Sequence, residues 1–259
     1  MTRRRSPRNP EEDARILDRI RDIKVDHPFW GYRRVSNHLI YVDQFNVNRK
    51  RVLRIMRQNN LLVTPNLRLK AKRTPTRSKP KATRPNQWWG TDMTKVMIDG
   101  FGWVYLVIVL DWHTKKIVGY YAGMQCKAVH WLAALNMAVN RQFPDGVRGQ
   151  SLHLMSDNGC QPTSGMFMEA CRTMGIDQAF TSYNNPKGNA DTERMMRTIK
   201  EELVWLKEWR SPFDFAQRFE RWAEVDYNRD YRHSTLKNKT PLMFEKEQID
   251  SHKTQLVNA

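Results

Sequence analysis

Residues 88–123 read WWGTDMTKVMIDGFGWVYLVIVLDWHTKKIVGYYAG. The stretch divides into three predicted strands, 90–97, 103–110 and 116–123. Asp99-Gly100 supplies a turn between the first two. The unbroken apolar run WVYLVIVL at 103–110 reads as a strand buried inside a sheet.

Further along, residues 127–141 suit a helix, with Trp131, Leu135, Ala138 and Val139 on one side. A short strand is expected at 151–155, a helix at 163–173 and a strand at 176–180. Residues 190–207 predict a long helix whose core stripe is Met195, Met196, Ile199, Leu203 and Leu206. Three antiparallel strands followed by parallel ones with crossover helices give an α/β fold, a mixed five-stranded sheet flanked by helices. Residues 211–227 predict a last amphipathic helix carrying Phe215, Phe219 and Trp222. From Asn228 the chain turns polar, and loops plus a short helix are expected.

Upstream the texture is different. Residues 11–26 read as an amphipathic helix with Ile16, Ile20 and Ile23 on one face, stopped by Pro28. A second short helix is expected at 32–40, and Asn48 reads as the N-cap of a third at 49–59. Val52, Leu53 and Met56 form the apolar face of that third helix, and Lys50, Arg54 and Arg57 fall on another. Two short helices joined by a turn, the second basic on its exposed side, describe a helix-turn-helix. Residues 66–86, rich in Pro, Thr, Ser, Lys and Arg, read as a basic linker. The expected organisation is an all-α unit at 1–65, the linker at 66–86, the α/β core at 87–208 and a helical extension at 209–259.

The net charge of the 259-residue chain is +17, and its location is informative. Residues 1–86 hold 23 Lys/Arg against 7 Asp/Glu, so nearly all the excess sits in the first third. That is the electrostatic footprint of a nucleic-acid binder. No apolar run approaches the ~18 residues of a membrane span, and nothing apolar follows the basic start, so neither a span nor a secretory signal is expected. Cys126, Cys160 and Cys171 are too few and scattered for a disulfide framework, which points to a reduced, cytoplasmic chain.

Three carboxylates stand out by position. Asp92 lies in the first core strand, Asp157 directly follows the fourth, and Glu193 falls in the first turn of the long helix. Oxygen ligands converging at one sheet edge suit Mg²⁺, a hard cation. Two such ions about 4 Å apart can activate an attacking oxygen and stabilise the leaving one at phosphorus. Lys200 lies seven residues after Glu193, on the same helix face, where it can reach a phosphate. Asp111 also ends a buried strand, but its spacing fits less well, and it reads as a structural acid. No paired His and Cys spacing supports zinc. Trp88 and Trp89 read as packing residues.

The motifs WWGTDMT (88–94), SDNGCQPTS (156–164) and NNPKGNADTERMMRTIKEEL (184–203), with 35 residues between Asp157 and Glu193, resemble the Asp-Asp-Glu transposases and retroviral-type integrases. More narrowly they resemble the orfB-type catalytic subunit of insertion sequence 3 family transposases. The upstream WGYRRVSNHL…VNRKRVLRIMRQNNL (30–61) is similar to that family's helix-turn-helix, and YNRDYRHSTLKNKTPLMF (227–244) to its closing motif.

The resemblance implies a ribonuclease H-like core and DNA cleavage and strand transfer at the ends of an insertion sequence. It implies two Mg²⁺ ions, replaceable by Mn²⁺, held by Asp92, Asp157 and Glu193. The implied DNA contacts in the core are Lys187, Arg197 and Lys200. In the helix-turn-helix they are Arg33, Arg34, Arg49, Lys50, Arg54 and Arg57. The implied partners are terminal inverted repeats, target DNA, further copies of this chain to bring two ends together, and the product of an upstream orfA-type reading frame. That last expectation rests on the lack of a leucine heptad series here. The competing reading is a catalytically idle DNA-binding regulator.

Overall fold

The computed structural model describes residues 9–63, 80–181 and 188–257, and its chain divides into two units, at residues 1–72 and 73–259. The expected linker falls mostly outside the described residues.

The first unit is three helices, α1 (Pro10–Asp26), α2 (Tyr32–Tyr41) and α3 (Arg49–Gln58). Asn9 caps α1 by accepting from Glu12 N at 3.2 Å, with Pro10 at the first helical position. Asn48 caps α3 by accepting from Arg51 N at 2.8 Å. Ile16, Ile20 and Ile23 of α1 pack into the interior with Val35, Leu39, Val52, Ile55 and Met56. The inward face of α3 therefore includes Ile55, whereas Leu53, expected there, is only half-buried. Arg54 also departs from the expected exposed row. Its guanidinium donates to Asp13 Oδ2 of α1 at 2.7 Å, beside Arg51 Nε to Asp13 Oδ1 at 2.7 Å. One acidic residue among three in the first turn of α1 thus draws two arginines of α3 inward.

The second unit is built on a five-stranded sheet of order β3-β2-β1-β4-β5: β1 Trp88–Ile98, β2 Gly102–Asp111, β3 Ile117–Gly123, β4 His153–Ser156 and β5 Asp177–Phe180. β1, β2 and β3 are antiparallel neighbours, and β4 and β5 add in parallel. Gly100 and Gly102 take positive φ at the β1–β2 turn, where Asp99 Oδ1 accepts from Gly100 N at 3.1 Å.

The period-two alternation of β1 separates two chemistries. Trp89 faces a core with Val107, Val109 and Val118 beneath α4 (Ala128–Gln142) and α5 (Gly165–Met174). Trp131, Ala134, Leu135 and Ala138 fill that layer from α4. Gly119 lets α4 lie directly on β3, since a Cβ there would stand 2.3 Å from Ala134 O. The other face of β1, with Gly90 and Asp92, meets α6 (Ala190–Glu202).

Three features differ from the sequence reading. The predicted 190–207 helix ends at Glu202 and tightens into a 3-10 turn at Val204–Leu206, leaving Leu206 only half-buried. The predicted 211–227 helix is α7 (Pro212–Arg221) followed by a π-helical turn, Trp222–Arg229. That wider turn brings Asn228 against the edge strand β3, where its amide accepts from Ile117 N (3.0 Å) and donates to Ile117 O (2.9 Å). Asn228 thereby takes the place of a neighbouring strand. The expected short terminal helix is the 17-residue α8 (Pro241–Val257). Thr240 Oγ1 accepts from Met243 N at 3.2 Å with Pro241 next to it, a start signal in a stretch whose polarity suggests loops.

Candidate active site

The sheet brings the first two carboxylates into one neighbourhood. β1 and β4 are parallel with Gly90 opposite Met155. Asp92 lies two residues beyond Gly90 on β1, Asp157 directly follows the end of β4, and the charge of Asp157 is felt at Asp92. Asp92 is half-buried, and its Oδ1 accepts from Met93 N at 2.8 Å. Asp157 is exposed at the head of the loop after β4, and its Oδ1 accepts from Gly159 N at 3.1 Å.

The third carboxylate arrives on α6, whose first turn is pinned to that face. Asn189, which precedes the helix, donates from Nδ2 to Thr91 O at 3.0 Å. Trp112 Nε1, just beyond β2, donates to Thr192 Oγ1 at 3.1 Å in the interior. Lys115 pairs with Asp191 at 3.1 Å. These contacts require bare backbone at Gly90, where a Cβ would stand 2.0 Å from Thr192 Oγ1, 2.4 Å from Trp112 Nε1 and 2.8 Å from Asn189 Oδ1. Glu193 follows Thr192 and is exposed beside the Asp92 face, with the half-buried Lys200 seven residues on.

The electrostatics of Asp92 register this gathering. Burial pushes its carboxyl up to about 6, and the charges of Asp157 and Glu193 push the same way. The Met93 N–H and Lys200 act in the opposite direction. All four expected residues, Asp92, Asp157, Glu193 and Lys200, thus share one electrostatic neighbourhood. Among the described residues no three carboxylate, His or Cys side chains stand close enough to grip one ion as placed. The donor set itself, three carboxylates, is the chemistry of a hard cation, and two buried oxygens nearby in sequence, Ser156 Oγ and Asn189 Oδ1, have no partner among the described residues.

Of the other core contacts expected, Arg197 is exposed and paired with Glu201 at 2.7 Å, and Lys187 lies outside the described residues. In the first unit Lys50 and Arg57 are exposed on α3. Arg33 is exposed and lies over the Tyr32 ring, Arg49 donates to Asn37 Oδ1 at 2.9 Å, and Arg34 is half-buried. Asp111 has the structural role expected of it. It is fully buried and accepts from the backbone N–H groups of Asn86 (2.6 Å), His113 (2.7 Å) and Thr114 (3.0 Å). Trp88 stacks on Trp112 and His153, and Trp89 is buried, so both tryptophans serve packing. The anchors Asn189, Trp112 and Gly90 were not singled out from the sequence. The one available signal was a glycine between bulky neighbours in a strand.

Comparison with known proteins agrees with this architecture. Two models described as integrase core domain match residues 82–186 and 174–241, and one described as HTH-like domain matches 11–68. The chain is 31% identical over 168 residues to the transposase for insertion sequence element IS904 of Lactococcus lactis subsp. lactis (strain IL1403), covering 64% of each chain. It is 27% identical to the insertion element IS600 uncharacterized 31 kDa protein of Shigella sonnei, over 91% of this chain and 90% of that one. In fold it resembles a chain of the simian T-cell lymphotropic virus intasome, solved by cryo-EM in complex with PP2A regulatory subunit B56 gamma. That match has a TM-score of 0.50 and 14% identity, and covers 83% of this chain and 70% of that one. The fold is that of a ribonuclease H-like integrase core joined to a helix-turn-helix unit. The chain thus carries an HTH-like domain and an integrase core domain, and its relatives are insertion-element proteins, several of them named transposases.

Proposed function

We propose that this chain cuts and joins DNA at the ends of its insertion element, with Asp92, Asp157 and Glu193 as the ligands of two magnesium ions. Manganese is expected to substitute. The observation that supports the reading is the electrostatic neighbourhood of Asp92, which feels the charges of Asp157 and Glu193, beside the first turn of α6 anchored by Asn189 and Trp112. Bound there, the ions supply charge neutralisation at phosphorus and a more acidic attacking hydroxyl. The protein's part is positioning. A strand holds Asp92, the loop directly after β4 holds Asp157 and a pinned helix holds Glu193, which limits the reorganisation needed during the reaction.

Lys200 offers its ammonium to a phosphate flanking the cut. Lys187, Arg197 and the basic helix-turn-helix extend the contact along the duplex. The steps are in-line phosphoryl transfers: water attacks the phosphorus at an element end and the 3′ oxygen leaves. That freed 3′-hydroxyl then attacks a target phosphorus, expelling another 3′ oxygen. Two ends must be held together, so the working form is an oligomer, acting in the cytoplasm with the upstream-frame product fused to it.

The test is a strand-transfer reaction on a labelled duplex carrying the element ends, in Mg²⁺, Mn²⁺ or EDTA, with and without the upstream-frame product. Wild type should give cleaved and joined products only with metal, and Glu193→Gln none. Specific binding without products under every condition would leave the chain a DNA-binding regulator.

A further inference from the structure

Between the 3-10 turn at Val204–Leu206 and α7 the second unit folds around a cavity of about 440 Å³, lined by Lys207, Glu208, Trp209, Arg210, Asp214 and Arg218. None of these residues belongs to the carboxylate site. Three cations face two carboxylates. Asp214 is already engaged, with Oδ2 accepting from Arg210 N at 3.3 Å and its N–H donating to the capping Ser211 Oγ at 3.1 Å. The side chains of Lys207, Arg210 and Arg218 make no hydrogen bond or ion pair with the described residues.

Trp209, only 9% exposed, is held edge-on to Phe215 at 5.0 Å. Its indole Nε1–H has no acceptor among the described residues. A buried donor left unpaired costs free energy, so an acceptor that completes it is favoured by more than charge. Phe213, in the first turn of α7 and next in sequence to the lining residue Asp214, is 69% exposed. Cations interleaved with an exposed aromatic suit a nucleic-acid strand better than a small free anion: a phosphate for the hollow and a base face for the ring.

We propose that this cavity seats a backbone phosphate of DNA, with Arg210, Arg218 and Lys207 supplying the charge, the Trp209 indole donating to a phosphate oxygen, and Phe213 stacking beneath an adjacent base. The choice of DNA as the polymer rests on the transposase reading, whereas the anion site stands on its own geometry.

The test uses the full chain and fluorescence anisotropy on a labelled duplex across a KCl series. The Arg210→Ala/Arg218→Ala double variant should bind more weakly, and the slope of log affinity against log salt should fall by about one per phosphate lost. Trp209→Phe removes the donor together with part of the ring; it should weaken DNA binding about fivefold, beyond any loss of folding read from its unfolding temperature. Unchanged affinity and slope in the double variant would overturn the proposal. So would inorganic phosphate raising the unfolding temperature of wild type alone while the DNA slope stays constant, since the site would then be a free-anion pocket. A wild type that cuts no DNA, combined with the slope loss in the variant, supports this site and removes only the catalytic reading.

Discussion

Gly90 of β1 and Thr192 of α6 approach so closely that a Cβ on the glycine would stand 2.0 Å from Thr192 Oγ1. The strand carrying Asp92 and the helix carrying Glu193 meet at this point with no space for a methyl group.

Gly90→Ala is therefore expected to push the start of α6 off the sheet. Overpacking of this kind costs about 1–3 kcal/mol of stability. A displacement of about 1 Å at Glu193 would lower strand transfer on the order of 100-fold. Thermal unfolding and a strand-transfer time course read the two effects. Undiminished activity would mean that the close contact does not set the position of Glu193.

Asp92 gives a pH-dependent prediction. In the folded protein its carboxyl holds a proton up to about pH 6, whereas the unfolded chain releases it near the usual 3.8. Between those values the native state binds more protons, so stability falls as pH rises through the window, and the penalty is complete above about 6. Asp92→Asn should stabilise the metal-free protein at pH 8 by about 1–3 kcal/mol and leave it unchanged at pH 3.5. Magnesium should raise the unfolding temperature of wild type at pH 8 and have little effect on the variant. Equal unfolding temperatures for wild type and variant at pH 8 would remove the penalty assigned to Asp92.

The Asp13–Arg51–Arg54 cluster predicts a stability role. Burial opposes ionisation of Asp13, but the hydrogen bonds from Arg54 and Arg51 outweigh it and hold the carboxyl below its ordinary range. The stabilisation is present above that range and is lost as pH falls through the depressed value. Asp13→Asn should cost about 1–3 kcal/mol at neutral pH and speed hydrogen exchange in α1 and α3 together. Unaltered exchange in both helices would show the cluster to be incidental.

Neighbouring cations on α3 should behave differently. Lys50 and Arg57 are exposed, and replacing either with Ala should lower the salt slope of DNA binding by about one with no loss of stability. Arg54→Ala should instead lower stability, because its guanidinium faces Asp13 at 2.7 Å. A full salt-slope loss in Arg54→Ala at unchanged stability would reverse that division.

The strands and most helices of the core were legible because apolar periodicity and turn residues report directly on them. The positions of Asp92, Asp157 and Glu193 were legible because they fall within β1, just after β4 and in the first turn of α6, each in a spaced motif. What holds Glu193 in place was not legible. Trp112 and Thr192 are separated by 80 positions in the chain, and no local pattern links an indole in a turn to a hydroxyl in a helix. Arg54 was misplaced because helical spacing defines a row of side chains and not what the row faces. α8 was read as short because its polar residues carry little apolar period, while its start signal, Thr240-Pro241, is only two residues long.

The three proposed ligands enter the chain in the order Asp92, Asp157, Glu193, with the helix-turn-helix ahead of them all. On the proposed reading, a ribosome that stops between codons 73 and 192 would release a protein whose first unit is complete but which lacks the last ligand needed to cut DNA. Such a fragment would compete with the full enzyme for the same DNA, so the order of segments would make incomplete synthesis a brake on movement of the element.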